Sequence, residues 1–180
     1  MGYKRAGCEV IAANDMYGGT YRLFTKIFAK YNIVFTYVDT TDLSQIEKAV
    51  SSKTKLLWIE TPTNPLMNIT DIAGVSAIAK KHNVLLCVDN TFASPYLQNP
   101  LDLGADIVMH SATKYLGGHS DLIAGILVAK DEQVGARLKF FQNACGAVLA
   151  PFDSWLVIRG IETLHLRMKH HSRTALKVAQ

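Results

Sequence analysis

The sequence predicts an α/β fold built on a mostly parallel, doubly wound sheet with helices on both faces. Short apolar runs of about six residues alternate with longer stretches in which apolar residues recur every three or four positions. One run, Val84-Leu85-Leu86-Cys87-Val88, is apolar without interruption, as in a strand covered on both faces. Several runs stop abruptly in glycine-containing or polar turns, the punctuation expected where a strand hands over to a crossover helix.

Glu9–Ala13 reads as the first strand, ended by Asn14-Asp15, and Gly18-Gly19 makes a turn in which Gly19 or Thr20 caps the next helix. Tyr21, Phe24, Ile27, Phe28 and Tyr31 share one face of that expected helix, which ends near Asn32. Val34–Val38 is the second strand, and Leu43, Ile46, Glu47 and Val50 lie on a short helix. The third strand, residues 55–60, runs into Thr61-Pro62-Thr63-Asn64-Pro65, whose prolines bar both helix and ladder continuation. Asp71 caps a helix over 72–83 with Ile72, Val75, Ile78 and Ala79 turned inward.

The fourth strand, 84–88, ends in Asp89-Asn90-Thr91, after which Pro95 and Pro100 mark irregular backbone. Ile107-Val108-Met109 is a fifth strand that breaks into Ser111, Thr113, Lys114 and the Gly117-Gly118 pair, where the backbone turns sharply. A sixth strand is expected over 122–129 and a helix over 131–144. Pro151 opens a helical region over 152–180, with Gly160 expected as its kink.

With 180 residues, 49% of them hydrophobic and 19% charged, the chain buries one substantial core. The net charge of +4 is spread along the sequence, which disfavours a nucleic-acid or anionic-membrane partner. Cys8, Cys87 and Cys145 form no CxxC pair and are odd in number, so neither a disulfide framework nor a zinc site is expected. A reducing cytoplasm is the expected compartment; no secretory leader is read, and the longest apolar run is too short for a bilayer. No metal site is expected, because His82, His110, His119, His165, His170 and His171 lack ligand spacing with carboxylate support. Arg159, Arg167 and Arg173 are expected as helix-surface charges.

Four polar residues fall just beyond strand ends: Tyr17, Asn64, Asp89 and Lys114. In a parallel sheet, groups at the carboxyl ends converge on one crevice. A lysine in a partly desolvated pocket bonds a carbonyl, and Ser111 and Thr113 beside it suit an anion. A carboxylate at a buried strand end pairs with a cationic ring nitrogen, an aromatic ring lies on a flat cofactor, and a rigidly held Asn donates to an oxyanion. Pyridoxal phosphate, a planar aldehyde with a basic ring nitrogen and a phosphate, satisfies each of these requirements.

Ser111-Ala112-Thr113-Lys114-Tyr115-Leu116-Gly117-Gly118-His119-Ser120-Asp121 resembles the cysteine and methionine metabolism family of pyridoxal-phosphate enzymes. So do Tyr17-Gly18-Gly19-Thr20, Glu60-Thr61-Pro62-Thr63-Asn64-Pro65 and Val88-Asp89-Asn90-Thr91, and Ala150-Pro151-Phe152-Asp153-Ser154-Trp155-Leu156 with Arg159-Gly160 is similar to the family's segment after the lysine. The resemblance implies the large cofactor-binding domain of fold-type I enzymes. It implies Lys114 as the cofactor-bonding, proton-moving lysine, Asp89 as partner of the ring nitrogen, and Tyr17 as a ring-stacking and catalytic tyrosine. Ser111 and Thr113 match phosphate ligands, and Asn64 matches the asparagine near the cofactor hydroxyl and substrate carboxylate.

The implied function is a carbon–sulfur lyase of transsulfuration, most like cystathionine γ-lyase, with cystathionine γ-synthase and β-lyase as alternatives and a homotetramer as the assembly. Residues 1–180 are then expected to be part of a single large domain, without the family's amino-terminal arm, first edge strand or carboxyl-terminal domain with its substrate-clamping arginine. The expectation from another class is a catalytically silent piece that acts only in assembly. A dinucleotide-binding module is disfavoured, since Gly18-Gly19 lacks the spaced third glycine.

Overall fold

The computed structural model describes residues 7–180. Six strands, β1 (Glu9–Ala13), β2 (Val34–Val38), β3 (Thr54–Glu60), β4 (Leu85–Asp89), β5 (Ile107–Ser111) and β6 (Gly125–Ala129), form one sheet in the order β2-β1-β3-β4-β5-β6. Every neighbouring pair is parallel except β5 with β6, so the fold is α/β with a mostly parallel sheet. The connection to β6, residues 112–124, holds turns and no crossover helix, and β6 returns antiparallel beside β5. The register sets Glu60 beside Asp89 and Asp89 beside Met109, so β3, β4 and β5 finish at one rim.

Alternation along the strands places core residues on both faces of the sheet. Ile11, Leu57, Ile59, Leu86, Val88 and Val108 point to one face, where they meet Ile46 of α2 (Leu43–Ala49) and Ile72, Val75 and Ile78 of α3 (Ile72–Lys81). Ala12 and Ala13 belong to a second cluster, with Met16, Phe24 and Trp58. Asp71 caps α3 by accepting from the Gly74 N–H at 3.1 Å, as the sequence indicates. A four-residue helix, α4 (Ser94–Leu97), interrupts the segment with the prolines.

The aromatic-rich helix departs from its expected form. It begins at α1 (Gly18–Arg22), widens to a π turn over Leu23–Ile27 and tightens to a 3₁₀ turn over Phe28–Tyr31, ending at Asn32 in the left-handed region. Of the five residues assigned to its inner face only Phe24 is buried; it stacks on Phe35 at 4.6 Å and meets Trp58 edge-on. Tyr21, Ile27 and Tyr31 are exposed. The sheet offers this segment one aromatic socket, and the helix changes pitch around it.

Expectation also fails at β6 and at the last helices. Residues 122–124 are not strand, because Ala124 is pinned instead to Thr113. After α5 (Glu132–Cys145), α6 (Pro151–Glu162) continues through Gly160, and the break falls at Thr163 before α7 (Leu164–Ala179). Gly160 serves packing: a Cβ there would collide with the carbonyl oxygens of Leu116 and Gly117. The turn after β5 therefore lies directly on α6, with Ala112, Leu116, Leu122, Val157, Leu164 and Met168 sealing the contact.

Gly160→Ala should destabilise the protein by about 1–3 kcal/mol, since the added methyl meets backbone on two sides. Urea unfolding measures this, and a midpoint unchanged from the parent would show that the contact yields freely.

Candidate active site

The rim carries the predicted residues on adjoining supports. Asp89 closes β4 and is buried; its Oδ1 accepts from the Thr91 N–H at 3.0 Å and the Thr91 hydroxyl at 2.5 Å. Burial pushes the Asp89 carboxyl above the usual carboxylate range, against the pull of those two bonds. The same Thr91 oxygen accepts the Ser111 N–H at 2.8 Å, which ties the end of β5 to that of β4. Lys114 comes one turn later: its N–H reaches the Ser111 carbonyl at 3.1 Å and its own carbonyl takes the Gly118 N–H at 2.7 Å. Gly118 has φ +77°, which a side chain adopts poorly.

Tyr17 and Asn64 stand on loops beyond β1 and β3. The Tyr17 ring is half exposed and folds over Gly19, where any Cβ would strike it. Its backbone N–H donates to Glu60 Oε2 at 2.8 Å, and the Asn64 N–H donates to Glu60 Oε1 at 2.9 Å. Thr63 is held in turn by Asp15, which also accepts from the Asn68 amide at 3.2 Å. Thr113 is differently engaged: its hydroxyl donates to the Ala124 carbonyl at 3.3 Å and accepts the Ala124 N–H at 3.0 Å. To meet an anion it must turn its proton away from that carbonyl.

Lys114 and Thr113 line an open hollow of about 510 Å³ with Tyr115, Ser120 and Arg167. Tyr17, Asn64 and Asp89 do not line that hollow; they are related to Lys114 through the sheet rim. Chemically the rim offers an amine, a buried carboxylate, a half-exposed phenol and an amide.

Several contributors escape sequence reasoning. Glu60 is buried, and burial together with the nearby charges of Asp89 and Asp15 lifts its carboxyl to about 7, despite the two backbone N–H donors. The available signal was an acid directly after the apolar run Leu56-Leu57-Trp58-Ile59. Asn90 and Gln98 bond side chain to side chain at 2.8 Å, and Gln98 also donates to the Thr61 carbonyl at 3.1 Å, linking the ends of β3 and β4. Arg167 is no surface charge. Its guanidinium donates to the Tyr115 carbonyl (2.7 Å), the Gly160 carbonyl (2.7 Å) and the Thr163 hydroxyl (3.0 Å), clamping the lysine turn to α6 and α7. Among the described residues no cluster of three or more metal-binding side chains occurs, and no helix is long and apolar enough to cross a membrane.

A model of the Cys/Met metabolism PLP-dependent enzymes matches residues 1–180. The chain belongs to that family. It is 51% identical over 98% of its length to cystathionine gamma-synthase of Mycobacterium leprae, covering 45% of that protein. It is 53% identical over 97% of its length to cystathionine beta-lyase of Lactococcus lactis subsp. cremoris, covering 46% of it. It superposes with a TM-score of 0.97 on the crystal structure of cystathionine gamma-lyase from Lactobacillus plantarum complexed with L-serine; the two are 50% identical, over 98% of this chain and 46% of that one. The chain thus spans a little under half the length of the curated relatives it matches.

Arg167→Ala should lower stability by about 2 kcal/mol, the scale for losing charged hydrogen bonds to partly buried acceptors, and Arg167→Lys should recover only part of it because one ammonium cannot span three acceptors. Equal urea midpoints for the alanine variant and the parent would show the clamp to be incidental.

Proposed function

We propose that this chain is the cofactor-binding core of a pyridoxal-phosphate enzyme that cleaves the carbon–sulfur bond of cystathionine in the γ-lyase sense, giving cysteine, 2-oxobutanoate and ammonia with uptake of water. The arrangement of Asp89 and Lys114 carries the reading: a buried carboxylate ends β4, and a lysine stands on the turn that Thr91 ties beside it. The donor chemistry fits the cofactor. Both hydrogen bonds that the Asp89 side chain accepts land on Oδ1, which leaves Oδ2 for a ring N–H. A cation there would also relieve the burial that now raises the carboxyl.

When bound, pyridoxal phosphate supplies an aldehyde for the substrate amine and a ring that withdraws electrons. Asp89 would hold the ring nitrogen in its protonated form, and the Tyr17 ring would pack against the cofactor. Ser111, backbone amides of the turn and, with its proton turned from the Ala124 carbonyl, Thr113 would hold the phosphate, and the Asn64 amide would donate to the cofactor hydroxyl and the substrate carboxylate. The Lys114 amine removes the α-proton of the amino acid and shuttles a proton at the β-carbon. The Tyr17 phenol delivers a proton to the departing thiolate.

The relatives' names support the broader chemistry: synthase, β-lyase and γ-lyase all match at similar identity. The γ-lyase sense is our choice among them. A homotetrameric parent is part of the proposal, supported by the apolar side chains of Phe152, Trp155 and Ile158 exposed on α6.

Incubating the full-length protein with cystathionine and pyridoxal phosphate tests the reading. Cysteine with 2-oxobutanoate is expected, and Lys114→Ala should reduce its formation by at least about a thousandfold, the scale for losing a group that moves protons in the reaction. Homocysteine with pyruvate would assign the β-lyase sense instead, and undiminished turnover by the alanine variant would overturn the assignment of Lys114.

A further inference from the structure

Glu60 is the last residue of β3, and its two carboxylate oxygens are divided between two loops. Oε2 accepts the Tyr17 N–H and Oε1 accepts the Asn64 N–H, at 2.8 and 2.9 Å. These loops leave different strands: Tyr17 precedes α1, and Asn64 lies in the proline segment after β3. We propose that Glu60 is a positioning residue whose forked carboxylate fixes the Tyr17 loop against the Asn64 loop, so that both side chains present to the cofactor as one unit. The inference rests on the reading that Tyr17 and Asn64 face the cofactor, but its structural half stands independently.

Only a carboxylate of this length fits the task. A glutamine has one accepting oxygen, and its amide nitrogen would confront the second N–H with another donor. A backbone N–H left without an acceptor is expensive, so one loop is released at a time, and because the amide can turn over, each of the two loses its hold in turn. The position is also unwelcoming to an acid. Asp89 faces it from β4 and Asp15 from the turn after β1, both adding like charge, and the two N–H donors are what lower its carboxyl. An apolar residue would avoid that cost but could not hold the loops.

The arrangement depends on ionisation. The charged form accepts on both oxygens, whereas in the neutral acid either oxygen can carry the proton, so each loop loses its acceptor in turn. With the carboxyl lifted to about 7, the clamp is complete above that pH and is lost as pH falls through it. Tyr17 and Asn64 should loosen together, with a shared midpoint.

Residue-resolved amide hydrogen exchange, with and without pyridoxal phosphate, tests the proposal in the parent and in Glu60→Gln. Without cofactor, the variant should lose protection at the Tyr17 and Asn64 amides by about tenfold or more, while the Val88 amide in β4 changes less than about twofold. The dissociation constant of pyridoxal phosphate, followed by absorbance, should rise by about tenfold or more. Unchanged protection at either amide overturns the clamp. Lost protection at both with unaltered cofactor affinity, in this variant and in Tyr17→Ala alike, overturns the placement of Tyr17 at the cofactor and with it the functional half. If Glu60→Gln does not fold, the parent decides: protection at the two amides, corrected for intrinsic exchange, should fall with one midpoint near the Glu60 value of about 7, and separate midpoints or none overturn the proposal.

Discussion

The Thr91 hydroxyl joins the ends of β4 and β5 just beyond their last ladder pair, Asp89 with Met109. It donates to Asp89 on β4 and accepts from the Ser111 N–H on β5, so one oxygen sets the spacing between the carboxylate and the turn that bears Lys114. Neighbouring strands lie about 4.8 Å apart, which makes this lateral bond short enough to fix the relation of two side chains of opposite charge. Residues further along the rim are placed relative to that pair. Glu60 stands beside Asp89 in the register, and Asn90 with Gln98 binds the end of β4 to Thr61.

The far side of the lysine turn is held by different means. Gly160 lets the backbone of α6 touch the Leu116 and Gly117 carbonyls, and Arg167 bonds the Tyr115 and Gly160 carbonyls from α7. Lys114 thus sits on a segment gripped by strand ends on one side and a helix pair on the other. In its proposed role, meeting an aldehyde and moving protons, Lys114 gains from such support, because its backbone does not drift as its side chain swings.

Much of this was legible in the sequence for a simple reason: Tyr17, Asn64, Asp89 and Lys114 each come after an apolar run, and a parallel sheet gathers the residues at its carboxyl ends. The supports were not legible, because they act across long sequence separations. Glu60 reads as a polar strand terminus until both its oxygens are found on other loops. Arg167 reads as a helix-surface cation because its acceptors are mostly backbone carbonyls, which carry no residue signature. Aromatic spacing suggested a regular helix after Tyr17, yet periodicity records where apolar residues fall and not whether the sheet has room for them, and only Phe24 found a socket. The apolar run before β6 gave no sign of strand direction or of the competing bond between Ala124 and Thr113. The segment shared with relatives bearing three activity names holds the rim and its supports, which fits a common cofactor chemistry beneath differing outcomes.

Whether Lys114 is the residue that bonds the cofactor is decided by borohydride reduction of the pyridoxal-phosphate-loaded protein and mass mapping of its peptides. Added mass is expected on the peptide carrying Lys114, at near one equivalent per chain. Label spread over lysines such as Lys130, Lys139 and Lys169, with none enriched at Lys114, would refute the placement of the amine at the sheet rim as the cofactor's partner.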